Sequence, residues 1–159
     1  MQGIEGGKMQ QIQKPISAFL SDKPVVTIAV SANVMDAVEK MNSEHTECLL
    51  VVDNKKLAGI FTERDFLNRV IGARLIPSET AIADVMTANP DTLGIEDAVS
   101  YAVERMASRG FRNIPIINND ETANVLTVWD VMSHLSEVLT EFEENDASEI
   151  EEWTDIGGG

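Results

Sequence analysis

The stretch Gly59-Ile-Phe-Thr-Glu-Arg-Asp65 returns 65 residues later as Asn124-Val-Leu-Thr-Val-Trp-Asp130. In each copy, apolar residues typical of a β-strand lead into a Thr-x-x-Asp turn, after which the pattern becomes that of a helix. A threonine hydroxyl caps the first turn of a helix, and a carboxylate is favoured near the positive N-terminal end. The recurrence therefore predicts one strand–turn–helix unit that occurs twice.

The repeat extends well beyond this turn. A shift of 65 aligns residues 25–71 with 90–136 without a gap, and a shift of 66 extends the match upstream. Each copy predicts a short extended segment, a helix, two strands joined by an Asn-containing turn, and a second helix. The fold class is therefore α/β (α+β), built from two βαββα repeats.

The two copies are expected to pack against each other as a pseudo-two-fold pair. Strands Cys48–Val52 and Asn113–Ile117 lack strict alternation, so both faces of each sheet should be covered. One copy alone would leave half of its sheet open. The alternative is two independent domains on a linker, but segment 72–85 is short and apolar for a free linker.

Charge and composition exclude several classes of function. The net charge is −15, no Lys or Arg follows Arg112, and nine acids lie in residues 137–159. This distribution disfavours nucleic acid and anionic membranes as partners, because both require clustered cations. No apolar run approaches the roughly 20 residues that span a bilayer, and the N-terminus does not resemble a signal peptide. With Cys48 as the single cysteine, we expect a cytoplasmic protein.

The ordered set of motifs resembles a tandem pair of cystathionine-β-synthase (CBS) domains, called a Bateman module. Besides the two Thr-x-x-Asp stretches, the likeness rests on the lead-in Asp84-Val-Met-Thr-Ala-Asn-Pro90 and on Gly110-Phe-Arg-Asn-Ile-Pro-Ile116. It covers about residues 14–140. We expect repeat 1 at 14–71, repeat 2 at 82–140 and an acidic C-terminal tail at 141–159.

The resemblance implies clefts that bind an adenosine-containing ligand, most simply AMP, ADP or ATP. Asp65 and Asp130 would accept hydrogen bonds from the ribose hydroxyls, with Thr62 and Thr127 near the ribose or first phosphate. The other implied ligand-binding residues are Arg64, Thr87, Arg112, Asn113, Ile114 and Pro115. Asn113 departs from the family pattern, where a histidine is frequent.

The two clefts are predicted to be unequal. In the first copy Glu47 and Leu50 replace Arg112 and Pro115 of the second, and a carboxylate near a phosphate is unfavourable. We therefore expect the stronger site to combine Thr127 and Asp130 with Arg112. In the family each cleft borrows phosphate contacts from the other copy, so Arg64 is open to serve either cleft.

The sequence favours a non-enzymatic sensor without a cofactor. His45 and His134 lack further ligands at metal spacing, and no nucleophile–base set is visible. Two alternatives stay open: a ligand-free structural interaction module, and a sensor of S-adenosylmethionine or a dinucleotide. A homodimer is expected through helices Val34–Ser43 and Val131–Phe142, with an unidentified effector protein as a further partner. The acidic tail is interpreted as a solvated extension of the last helix, with a docking role as the alternative.

Overall fold

The computed structural model describes residues 13–119 and 121–140. The first part of the chain contains a 3-10 helix Ile16–Ala18, β1 Thr27–Ala29, α1 Val34–Glu44, β2 Cys48–Asp53, β3 Lys56–Thr62, and α2 Glu63–Asp65, which continues as a π-helical segment Phe66–Ile71. The second part contains a 3-10 helix Pro77–Glu79, α3 Ile82–Val85, β4 Thr87–Ala88, β5 Leu93–Gly94, α4 Val99–Arg109, β6 Asn113–Asn118, β7 Glu121–Thr127 and a helix α5 at 128–140.

The strands form two sheets with the same construction. The first sheet has the order β1-β2-β3-β4 and the second β5-β6-β7. In both, a parallel pair is followed by an antiparallel hairpin, and the register shifts at Val51/Val52 in one copy and at the equivalent Ile116/Ile117 in the other. The predicted α/β repeat is therefore confirmed, and the structure adds a register shift at the same position of both copies.

The turns and helix ends follow the repeat as well. Asn54 and Asn119 have φ angles of 47° and 48° in the two hairpin turns, a backbone conformation that asparagine tolerates. Helix α1 ends at His45 and α4 ends at the equivalent Gly110, both left-handed with φ angles of 51° and 70°. The equivalent positions thus share a backbone conformation even where the residue type differs.

The two copies exchange their lead-in segments. Ile82 and Val85, which precede the second copy, are buried in the core of the first. Ile16 and Phe19, which precede the first copy, are buried in the core of the second. Strand β4 also pairs with β3, placing Thr87 opposite Ile60. Segment 72–85 is therefore not a free linker, and the predicted packing of the two copies is confirmed.

A third apolar cluster lies between the sheets. Cys48, Leu50 and Ile60 are buried there, with Val125 of the second copy packed against them. The neighbouring Leu49 and Val51 point to the opposite side of β2, into the core of the first copy. Both faces of β2 are thus covered, as its continuous apolar pattern predicts.

Helix α5 differs from the sequence prediction for its apolar face. Val131 packs against the second core, but Leu135 and Leu139 are 56% and 57% exposed. The predicted contact Phe142 lies outside the described residues, as does the tail 141–159. Of the helices in the described ranges, not one is long and apolar enough to cross a membrane.

Candidate functional site: two unequal clefts

Each Thr-x-x-Asp turn forms a reciprocal cap at the start of a helix. In the first copy, the backbone N–H and the hydroxyl of Thr62 donate to Oδ2 of Asp65 at 3.0 and 2.9 Å, and the Asp65 N–H donates to the Thr62 hydroxyl at 3.2 Å. In the second copy the same three bonds join Thr127 and Asp130 at 2.8, 2.7 and 3.1 Å. Capping therefore uses only one oxygen of each carboxylate.

The remaining oxygen differs between the copies. Oδ1 of Asp65 accepts a hydrogen bond from the Thr87 hydroxyl at 3.4 Å and lies 3.4 Å from Nε of Arg69. Within the described ranges, Oδ1 of Asp130 has no such contact. Asp65 is also the more deeply buried of the two, with 8% of its surface exposed.

The first cleft lies between the Thr62–Asp65 turn and the second copy. It encloses about 250 Å³, close to the lower end of the range for small-molecule sites. Seven of the ten residues predicted to bind ligand line it: Thr62, Arg64, Asp65, Thr87, Arg112, Asn113 and Pro115. We call it the arginine cleft, after Arg64, Arg69 and Arg112.

Two of these arginines are available to an anionic ligand. In the described part of the chain, Arg64 and Arg112 form no side-chain ion pair, whereas Arg69 is paired with Asp65. The acid Asp91 also lines the cleft. Its carboxylate is paired with two arginines of α4, with Nη1 of Arg105 at 2.7 Å and Nη1 of Arg109 at 2.9 Å. Arg69 and Asp91 were not predicted from the sequence.

The second cleft lies at the Thr127–Asp130 turn. It is larger, about 1070 Å³, and its lining includes the lead-in residues Ser21 and Lys23. Among the described residues that line it, the charged ones other than Lys23 and the two histidines are all acids: Glu44, Glu47, Glu63, Asp130 and Glu137. We call it the acidic cleft. Its volume would favour it as a ligand site, but its charge opposes phosphate.

The sequence prediction assigned Arg112 to the wrong cleft. It joined Arg112 with Thr127 and Asp130, whereas the side chain of Arg112 lies in the arginine cleft with Thr62 and Asp65. The reason is visible in the backbone: the Arg112 carbonyl accepts from the Val128 N–H at 2.8 Å. The main chain thus contacts the second Thr-x-x-Asp turn while the side chain lines the other cleft.

Ile114 is a second correction. It is 1% exposed, belongs to the core of the second copy and lines neither cleft. Side chains alternate along a strand, so Asn113 and Pro115 face the arginine cleft while Ile114 faces the core.

Among the described residues around the clefts, three polar side-chain atoms are buried without a partner. They are Oδ1 of Asn113, which lines the arginine cleft, Oε1 of Glu47, which lines both clefts, and Nε2 of His134, which lines the acidic cleft. A buried polar atom without a hydrogen bond is costly. In the Asn113 position, a donor group on a ligand would satisfy the oxygen.

Cys48 lies at the edge of the acidic cleft but is a poor nucleophile. Burial, together with the smaller effect of the charge of Glu47, raises the pKa of its thiol to about 12, and a side-chain hydrogen bond with Thr46 acts in the opposite direction. Because the folded state disfavours the thiolate, the free energy of unfolding should fall as pH rises above the ordinary thiol pKa of about 8.5.

At pH 8 we expect iodoacetamide to leave native Cys48 unmodified and to label it after denaturation, as measured by mass spectrometry. Stoichiometric labelling of the native protein would contradict this assignment.

Comparison with known proteins agrees with the geometry. The family model described as "CBS domain" matches twice, at residues 16–72 and 82–137. The chain therefore belongs to the CBS domain family, and its two interlocked repeats form a tandem CBS pair, the Bateman module. CBS domain proteins are generally regulatory rather than catalytic.

The relatives and solved structures share this fold. A CBS domain-containing protein of Arabidopsis thaliana, CBSCBSPB1, is 32% identical over 111 residues, which are 70% of this chain and 20% of that protein. The chain spans about a fifth of the length of the curated relatives it matches first. The crystal structure of CBS domain NE2398 has a TM-score of 0.72 at 23% identity and covers 77% of this chain and 97% of its own. CBS domain protein PAE2072 from Pyrobaculum aerophilum, solved in complex with AMP, has a TM-score of 0.69 at 22% identity and covers 79% and 98%.

Proposed function

We propose that the chain is a non-catalytic regulatory module that binds an adenine nucleotide, AMP, ADP or ATP, in the arginine cleft. The observation that carries this proposal is the meeting of Arg64 and Arg112 with the Thr62–Asp65 turn in one cavity. The fold is shared with a protein that was solved with AMP. The protein would then act as an energy sensor whose output passes to an effector protein or to a second copy.

The phosphate end of the ligand is assigned to the arginines. Arg64 and Arg112 are exposed within the cleft and free of ion pairs in the described part of the chain. Guanidinium groups bind phosphate oxygens through paired, charge-assisted hydrogen bonds. Among the described residues that line the acidic cleft, Lys23 is the only lysine or arginine, so a polyphosphate there would meet net repulsion.

The nucleoside end is assigned to the turn and to the apolar wall. Asp65 presents Oδ1 to the cleft, where it can accept from ribose hydroxyls in place of its present partners. Ile60 and Pro115 supply apolar surface for a base. The unpartnered Oδ1 of Asn113 is available to a donor such as the amino group of adenine.

Nucleotide titration by calorimetry, with AMP, ADP and ATP and with S-adenosylmethionine and NAD for comparison, tests the proposal. We expect the adenine nucleotides to bind and Arg112→Glu to weaken them about tenfold or more, which is 1.4 kcal/mol or more. Lys56→Glu is the matched control, because it makes the same charge change at the exposed far end of β3. If no nucleotide binds the unaltered protein, the ligand-free interaction module replaces this proposal. Equal binding by both variants would show that the phosphate does not bind in the arginine cleft.

We also propose that two copies pair through their exposed helical apolar residues. Leu67 on the π-helical segment is 62% exposed, and the equivalent Met132 on α5 is 54% exposed. Leu135 and Leu139 on α5 are exposed to a similar extent. Helix α1, the other predicted contact, instead turns its apolar residues inward and exposes only Met35 among its large hydrophobic residues. Ligand binding would shift the population of this pair.

Charges placed on this face should separate the copies. We expect Leu67→Glu combined with Met132→Glu to convert a dimer into a monomer, because each carboxylate would be buried unpaired in the contact. Light scattering coupled to gel filtration gives the mass. Lys55→Glu, in the exposed β2–β3 turn, should leave the mass unchanged. A double variant that stays dimeric would place the contact elsewhere.

A further inference from the structure

Arg69 connects the ribose acceptor to the segment that joins the two copies. Its Nε lies 3.4 Å from Oδ1 of Asp65, one turn earlier. Its Nη1 donates to the carbonyls of Val85 at 3.2 Å and Met86 at 2.6 Å. These two carbonyls belong to the lead-in of the second copy, residues 82–88, which packs on the first copy. One side chain thus contacts the candidate ligand site and the junction together.

The same carboxylate oxygen is reached from the junction a second time. The Thr87 hydroxyl donates to Oδ1 of Asp65 at 3.4 Å, while Oδ2 already accepts two bonds from Thr62. A carboxylate offers about four acceptor positions in all. Hydrogen bonds from Thr62 and Thr87 fill three of these positions, and the Arg69 guanidinium is ion-paired with Oδ1. A ribose hydroxyl that binds to Oδ1 therefore competes with Arg69 or Thr87 for that oxygen.

The second copy provides an internal comparison. The residue equivalent to Arg69 is His134, and the residue equivalent to Val85 is Phe19. Instead of pairing with Asp130, the His134 ring packs on Phe19 with 4.3 Å between ring centres, and its Nδ1 is 3.8 Å from the Glu137 carboxylate. Among the described residues, Oδ1 of Asp130 forms no hydrogen bond or ion pair with its lead-in segment.

We propose that Arg69 transmits occupancy of the arginine cleft to the junction between the copies, and that the acidic cleft lacks this transmission. The inference rests on the proposed nucleotide site and concerns its readout. Ribose hydroxyls displace the Arg69 guanidinium from Asp65, and Arg69 then no longer connects the ligand site to residues 82–88. Arg69 is therefore a positioning residue that acts through Asp65, and the junction is the part of the fold that reports binding.

Hydrogen–deuterium exchange of residues 82–88 with and without AMP tests the proposal. In the unaltered protein, saturating AMP should change the exchange rate of this segment about threefold or more. In Arg69→Gln the change should fall below about 1.5-fold although AMP still binds, because the long 3.4 Å bond from Thr87 is then the one contact between Asp65 and this segment that remains to be broken. His134→Gln, the matched change at the equivalent position, should keep the full response. Adenosine has no phosphate, so removal of the Arg69 guanidinium cannot cost it a phosphate contact. It should therefore bind Arg69→Gln at least as tightly as it binds the unaltered protein.

A second variant separates the bridge from the charge. Arg69→Lys keeps one positive charge, but a single ammonium group lacks the fork that spans a carboxylate and two carbonyls. We expect it to fold, to bind AMP, and to show a reduced response at 82–88. A full response in Arg69→Gln or Arg69→Lys overturns the inference. So does loss of adenosine binding in folded Arg69→Gln, which would make Arg69 a direct ligand contact. Failure of AMP to bind the unaltered protein instead rejects the proposed function on which the inference rests.

Discussion

Asp65→Ala is expected to weaken AMP binding roughly 100-fold, whereas Asp130→Ala should leave it within about threefold. A hydrogen bond to a charged group is worth about 1.5–3 kcal/mol, and 1.4 kcal/mol is tenfold in affinity. Asp65 faces the cleft that contains Arg64 and Arg112. Asp130 faces the acidic cleft, whose described lining has Lys23 and no arginine against five acids, Asp130 among them. Calorimetric titration of both variants with AMP measures the difference.

The two variants control for each other. Each removes an equivalent reciprocal cap at a helix start, at a cost of about 0.5–2 kcal/mol in the free energy of unfolding. Any effect that comes from the cap alone should therefore appear in both, and thermal unfolding would measure it. A larger loss of affinity in Asp130→Ala would show that the nucleotide binds in the acidic cleft, at the turn that the sequence analysis predicts to be the stronger site. Equal losses would contradict the inequality of the two clefts.

The fold was predictable because the repeat encodes it twice. Identities such as Thr62/Thr127 and the shared apolar phase fix the elements, and the hairpin asparagines mark the turns. The exchange of lead-in segments was not predictable in the same way. Ile16 and Ile82 are equivalent residues, and nothing in their local sequence tells which copy each will pack on. That choice depends on how the two sheets face each other.

The same limit explains the error over Arg112. The repeat places Arg112 next to the second Thr-x-x-Asp turn, and the backbone bond to Val128 shows that this is correct for the main chain. The side chain nevertheless lies in the cleft of the first turn. A site between two copies draws on residues that are far apart in sequence, so adjacency in the chain misassigns them. The position of Ile114, by contrast, follows from strand alternation and was predictable from the sequence.

Arg69 illustrates a signal that was present but incomplete. The spacing of Asp65 and Arg69, one helical turn apart, is typical of an ion pair and is legible in the sequence. The other half of the bridge, to the carbonyls of Val85 and Met86, is 16 and 17 residues away. Backbone acceptors carry no sequence signature, so the link to the junction required the structure.

Gly59→Ala is expected to destabilise the protein by about 1–3 kcal/mol, the usual cost of overpacking a filled site. A Cβ at this position would collide with the sulfur of Met86 and would lie 2.8 Å from the backbone carbonyl of Thr87. That carbonyl is on β4, which pairs with β3 at Gly59 and Ile60, so it moves only if the pairing opens. Because Thr87 also reaches Asp65, AMP affinity should fall with stability. Gly94→Ala is the matched control in the second copy, because its nearest neighbour would be Asp97 at 3.4 Å, an ordinary contact. Urea unfolding with AMP titration of both variants measures these effects, and equal stability of the two would show that the β3–β4 junction adjusts without cost.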